Sequence, residues 1–152
     1  MPSPHHAHRL RTGRYSETGQ IYLVTAVVRN RQPVFSGFKT GRLVVDAFRK
    51  AQQEQLANSL AWVVMPDHFH WLIELRNISL SKLIARTKSR TTVALNRAIQ
   101  REGPLWQAGF HDRAIRKEED LQAVARYIVR NPIRAGLVLK AGDYPLWDAI
   151  WL

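Results

Sequence analysis

Two histidines, a tyrosine and an asparagine are the residues of this chain whose types and spacing offer chemistry. His68 and His70 stand two apart within residues 62–75, Trp-Val-Val-Met-Pro-Asp-His-Phe-His-Trp-Leu-Ile-Glu-Leu. Met65-Pro66-Asp67 is a corner between two apolar runs, so the segment reads as strand, tight turn, strand. Successive side chains on a strand point to opposite faces. The two imidazoles therefore point the same way, with Leu72 and Glu74, while Phe69, Trp71, Ile73 and Leu75 line the other face. Such a pair can hold one cation between two ring nitrogens. The competing reading is a partly buried histidine pair with ordinary hydrogen-bond partners.

Asn131 could add an amide oxygen, provided the last helix lies across the same sheet face. Two imidazoles, one oxygen and open positions suit a catalytic divalent ion with room for a phosphate oxygen. Tyr127 lies one turn before Asn131 and projects to the same place. A tyrosine hydroxyl with a pKa of about 10 is a poor nucleophile. A metal that draws charge onto a phosphodiester's non-bridging oxygens makes the phosphorus easier to attack. Taken alone, Tyr127 reads as a half-buried helix residue rather than a nucleophile.

The elements that must position these groups follow from periodicity. Residues 21–28 are a β-branched run and a strand. Residues 41–57 carry Leu43, Val44, Ala47, Phe48, Ala51 and Leu56 near helical spacing, an amphipathic helix. Residues 79–100 form a longer helix that Ser79 or Ser81 can cap. It exposes Lys82, Arg86, Lys88, Arg90 and Arg97, and no acid stands between Glu74 and Glu102. A helix so one-sidedly basic can track phosphates. Residues 105–115 read as a hairpin or bent strand turning at Ala108-Gly109. Trp106 there belongs to the core, or stacks on an unpaired base beside Arg113.

Glu118-Glu119-Asp120 suits the first turn of the next helix, where the dipole favours acids. Leu121, Val124, Ala125 and Ile128 supply its apolar stripe. Arg126, Arg130 and Arg134 form a basic row at i, i+4, i+8, and Pro132 ends or kinks the helix. Residues 144–152, with Trp147 and Trp151, close back on the sheet. The order matches the split βαβ, ferredoxin-like pattern. The expected class is α+β, an antiparallel sheet with helices packed on it and an added C-terminal helix bearing Tyr127.

Composition narrows the partners. With 23 Lys+Arg against 12 Asp+Glu, the 152-residue chain carries a net charge of +11. A small domain this basic points to nucleic acid before membrane. There is no cysteine, which excludes disulfides and thiolate zinc sites and fits a cytoplasmic setting. No apolar run approaches the roughly 20 residues of a membrane span. Residues 1–20 read as a basic, mobile arm in which Arg9, Arg11 and Arg14 can reach a phosphate backbone. Residues 21–152 read as one domain.

At this point the residues resemble a family. His68-Phe69-His70 after Val63-Val64-Met65-Pro66-Asp67 is similar to the His-hydrophobic-His motif of single-tyrosine HUH transposases. Residues 127–138, Tyr-Ile-Val-Arg-Asn-Pro-Ile-Arg-Ala-Gly-Leu-Val, resemble the tyrosine block of the same group. With Leu105-Trp106-Gln107 and Gly109-Phe110-His111-Asp112-Arg113 between them, the chain most resembles the REP-associated tyrosine transposases, over about residues 21–138. The resemblance implies a nucleophile at Tyr127 that forms a 5′-phosphotyrosine link with single-stranded DNA. It implies Mg2+ or Mn2+ held by His68, His70 and the side chain at Asn131. It implies palindromic hairpin DNA as substrate, and a monomer or homodimer. DNA contacts map loosely onto Arg9, Arg11, Arg14, Arg86, Lys88, Arg90, Arg97, Trp106, His111, Arg113, Arg126, Arg130 and Arg134. Two other readings compete: a hairpin DNA- or RNA-binding module without turnover, and a nuclease that activates water.

Overall fold

The structure, a computed structural model, describes residues 19–116 and 121–151. Its elements in order are β1 (Ile21–Val27), α1 (Phe38–Gln53), β2 (Ala57–Met65), β3 (His68–Leu75), α2 (Leu80–Ala98), β4 (His111–Ile115), α3 (Leu121–Val129), the single turn α4 (Asn131–Arg134) and β5 (Trp147–Ala149). The strands form one five-stranded sheet in the order β4-β1-β3-β2-β5. Every pairing is antiparallel. This is the expected α+β, split βαβ arrangement, extended by β5 at one edge. Among the described residues, no helix is long and apolar enough to cross a membrane.

Strand alternation assigns the two faces. Tyr22, Val24 and Ala26 of β1 and Phe69, Trp71 and Ile73 of β3 lie in one core with Val44 and Phe48 of α1 and Leu83, Ile84 and Leu95 of α2. Phe48 stacks on Trp71 with ring centroids 4.2 Å apart. On the opposite face, Ala61, Val63 and Met65 of β2 and Leu72 of β3 pack under Val124, Ala125, Ile128 and Val129 of α3. Both faces of the sheet are thus covered, α1 and α2 on one and α3 on the other. The histidines share the α3 face, because their strand neighbours Phe69 and Trp71 are committed beneath α1 and α2.

Several boundaries differ from expectation. α1 begins at Phe38 rather than residue 41 and stops at Gln53. Gln55 adopts a left-handed φ of 60°, which a continuing helix cannot accommodate, and Ala57 instead opens β2. At α2 the Ser79 hydroxyl accepts from the Lys82 N–H, the expected cap. Residues 105–115 are a bent strand, not a hairpin. Trp106 bridges to Val28, the chain turns through Gly109 at φ 72°, and β4 pairs with β1. The closing segment pairs as β5 with β2, and the Tyr144 hydroxyl donates to the Val64 carbonyl at 2.6 Å.

The acids 118–120 and the arm residues Arg9, Arg11 and Arg14 lie outside the described residues. The last two residues of the expected arm are pinned to the sheet. Gly19 donates its N–H to the Leu75 carbonyl at 2.6 Å. The Gln20 side chain donates to the carbonyls of Ile21 and Ile115, at 3.1 Å each.

Candidate active site

β3 delivers His68 and His70 to one face, their ring centroids 5.0 Å apart and their planes at 79°. Each ring has its Nδ1 engaged. The His68 Nδ1 lies 2.7 Å from Asp67 Oδ1, and the His70 Nδ1 lies 2.7 Å from the Thr25 hydroxyl. A fixed Nδ1 orients the imidazole and leaves Nε2 as the nitrogen that can meet a cation. The Asp67 carboxylate is itself held by Arg31, whose Nη1 donates to Oδ2 at 3.0 Å. Arg31 stands in a tight loop with a left-handed φ of 49°, next to Asn30 at 56°.

The electrostatics favour neutral imidazole at His70. Burial first, then the neighbouring His68 and the Arg134 charge, pull its pKa from 6.5 to about 3. Asp67 goes the other way from what burial alone would give. Partial burial pushes its carboxyl up, but hydrogen bonds from His68 and Arg31 and their charges outweigh that and hold it below its ordinary 3.8.

α3 carries Tyr127 across the same sheet face, and α4 opens with Asn131 and packs on β2. The Tyr127 side chain is exposed, at 54%. Arg134 reaches back from α4 to place its guanidinium carbon 3.8 Å from the centre of the Tyr127 ring. Its Nη2 donates to the Tyr127 carbonyl at 2.6 Å. The expected row of Arg126, Arg130 and Arg134 is therefore broken. α3 ends at Val129, Pro132 sits at the start of α4, and Arg134 folds onto Tyr127 while Arg126 and Arg130 stay exposed.

The donors this face and α4 offer to a cation are the two imidazoles and the Asn131 amide. Among the described residues, no three His, Cys, Asp or Glu side chains gather as a metal site. That leaves the imidazole pair and a neutral third donor. Asn131 has a buried amide nitrogen without any hydrogen-bond partner. A buried amide N–H so left is costly for want of an acceptor. Turned over, the same amide presents Oδ1, an oxygen donor suited to a hard cation.

The sheet register extends this face toward the β4 edge. His111, Thr25, His70 and Val63 stand in one row across four strands. Arg113, Leu23, Leu72 and Ala61 form the next row. His111 and Arg113, both exposed, thus share the face of the histidine pair. The basic residues of α2 do not. Arg86 and Arg90 pair with Glu54 of the α1 C-terminus at 3.6 and 2.8 Å. The Lys88 ammonium donates to the carbonyls of Gln107 and Gly109. Arg97 is exposed in the last turn of α2.

Of the two readings of Trp106, the structure bears out the core one and not its place among the DNA contacts. Trp106 is 7% exposed, packs edge-on against Phe69 at 5.3 Å and donates its indole N–H to the Thr91 hydroxyl at 2.9 Å. It is a core residue, closed to any base. Thr25, Asp67 and Arg31 are the members of the site that sequence reasoning passed over. Thr25 had a signal, a lone threonine inside an apolar strand at a position facing His70. Asp67 was read only as a turn former, although it adjoins His68.

Comparison with known proteins identifies the family. The family model described as "Transposase IS200 like" matches residues 17–131. The REP-associated tyrosine transposase of Escherichia coli (strain K12) is 27% identical over 134 residues, covering 87% of this chain and 78% of that protein. Among solved structures, a REP-associated tyrosine transposase bound to a REP hairpin superposes with a TM-score of 0.75 at 26% identity. It covers 88% of this chain and 79% of its own. A second structure, from Deinococcus radiodurans R1, shares the fold with a TM-score of 0.55 at 17% identity, over 79% of this chain and 95% of that one. The chain belongs to the IS200-like transposase family, with REP-associated tyrosine transposases among its relatives.

Proposed function

We propose that this chain is a single-tyrosine, metal-dependent transposase that nicks single-stranded DNA beside a palindromic hairpin and carries the cut end on Tyr127. One observation carries the reading. The helix bearing Tyr127 packs on the sheet face that presents the two oriented imidazoles, and Arg134 touches Tyr127 while its charge is felt at His70.

In the cleavage step the Tyr127 hydroxyl attacks the phosphorus and loses its proton. The bond from phosphorus to the 3′ oxygen breaks, and that oxygen takes up a proton. The products are a 5′-phosphotyrosine and a free 3′-hydroxyl. Rejoining reverses the exchange, with an incoming 3′-hydroxyl attacking the same phosphorus and the phenol leaving. His68, His70 and Asn131 would hold Mg2+ or Mn2+. When bound, the ion polarises the non-bridging oxygens and offsets charge gained in the transition state. His70, with its pKa near 3, offers a neutral ring throughout the physiological range. Thr25 and Asp67 keep both rings turned so that Nε2 faces the reaction.

The solved relative bound to a REP hairpin and the charge of +11 support hairpin DNA as the substrate. His111 and Arg113 at the β4 edge, with Arg126 and Arg130 on α3 and its C-terminal end, are exposed groups that could meet a strand crossing this face. A labelled hairpin with a single-stranded foot, incubated with Mg2+ or Mn2+, should give a covalent protein–DNA adduct that survives denaturation. Tyr127→Phe should abolish the adduct and leave hairpin affinity within about threefold, because one hydroxyl adds little to a contact dominated by phosphates. Cleavage by the Phe variant at the wild-type rate would mark a water-activated nuclease instead. Salt-sensitive binding with no adduct from the wild type would mark a binding module.

A further inference from the structure

We propose that Arg134 is a positioning residue for Tyr127, its guanidinium acting as a ledge that holds the phenol ring in one orientation over the histidine face. The inference rests on Tyr127 being the nucleophile. An exposed tyrosine on a helix surface ordinarily samples more than one rotamer. Tyr127, exposed as it is, lies against a planar cation whose carbon sits 3.8 Å from its ring centre. The same guanidinium is anchored to the backbone of the same residue, through Nη2 to the Tyr127 carbonyl at 2.6 Å. Ring and ledge are thereby referenced to one point on the chain, and a ring that leans on the ledge has its direction set.

The approach of Arg134 is built by the turn beneath it. Pro132 is buried at the start of α4. Ala135 donates its N–H to the Asn131 carbonyl at 2.9 Å. Gly136, at φ 77°, donates to the Ile133 carbonyl at 3.0 Å. This compact turn brings Arg134 back toward a residue seven positions earlier. Capping of a helix C-terminus by a basic side chain explains the bond to the carbonyl. It does not explain the stacked ring, for a cap needs only the donor. Lysine could serve the cap and keep the charge, but it lacks the flat face.

The experiment compares wild type, Arg134→Lys and Arg134→Gln. It reads single-turnover adduct formation on the labelled hairpin with Mn2+, hairpin affinity by titration, and melting temperature. A misdirected nucleophile slows a positioned reaction by about 10- to 100-fold. The expected result is a rate loss of that size in both variants, with affinity within about threefold and, for Arg134→Lys, an unchanged melting temperature. Fluorine NMR of 3-fluorotyrosine at position 127 supplies a readout free of DNA. The wild-type resonance should move toward that of free fluorotyrosine in both variants.

Adduct formation at the wild-type rate by Arg134→Lys overturns the proposal, since charge and cap alone would then suffice. Loss of affinity by the same factor as the rate also overturns it and makes Arg134 a phosphate contact. A fluorine resonance unmoved by either substitution does so without reference to DNA. If the wild type forms no adduct, Tyr127 as nucleophile falls first and this inference with it. An active wild type with an equally active Arg134→Lys sinks the inference alone.

Discussion

His70 concentrates the electrostatic strain of the site. It is half-buried, its Nδ1 is held by Thr25, and its partial burial, with His68 and Arg134 close by, opposes a charge on the ring. Within an unfolded chain an imidazole takes up a proton near pH 6.5, whereas His70 in the fold does so only at about 3. Between those values the unfolded chain holds the extra proton, so acid favours unfolding. The stability His70 provides is complete above pH 6.5 and is lost as pH falls toward 3. Asp67, depressed below 3.8, adds a second loss that begins only at the bottom of that window. For metal-free protein, the melting temperature should therefore fall between pH 6.5 and 4, and His70→Gln should flatten that decline. A variant with the same slope as wild type would show that His70 titrates normally.

At the scale of elements, the sheet separates two tasks. α1 and α2 build the larger core, and α3 with α4 builds the site on the other face. Three basic residues of α2 are tied into structure: Arg86 and Arg90 hold the end of α1 through Glu54, and Lys88 holds the 107–109 segment. Trp106 plugs the same region, packed against Phe35 and Phe69. Trp106→Ala should cost about 3–5 kcal/mol by opening a cavity in that core, read as a lower midpoint in urea. Hairpin affinity of the folded variant should stay unchanged, since no base can reach the indole. Weaker binding at full foldedness would return Trp106 to the DNA interface.

At the scale of the whole molecule, the net charge of +11 makes DNA affinity fall with salt through counterion release. Not every cation contributes alike. Arg113 is exposed on the site face, whereas Arg90 is paired with Glu54 at 2.8 Å. Arg113→Ala should lower the slope of log affinity against log salt by about one. Arg90→Ala, whose charge is already matched, should change the slope by much less. Equal slopes for the two variants would place the α2 surface on the DNA as well.

Much of this was legible in residue order. Period-two alternation at residues 68–75 put both histidines on one face, because the pleat leaves no other choice. The β-branched run at residues 21–28 and the split βαβ order gave the sheet. Pro132 announced a break in the Tyr127 helix, though the break falls at Arg130, and Asn131, the residue before the proline, is itself helical in α4. What local pattern could not give was partnership across the fold. Thr25 lies 45 residues from His70, Glu54 lies 36 from Arg90, and Arg134 turns back on Tyr127 only because α4 is a separate turn. Sequence determined which side chains share a face. Tertiary packing alone decided which of the basic residues were consumed by acids and carbonyls and which remained open to a phosphate, because pairing depends on distances that strand register and helix docking set.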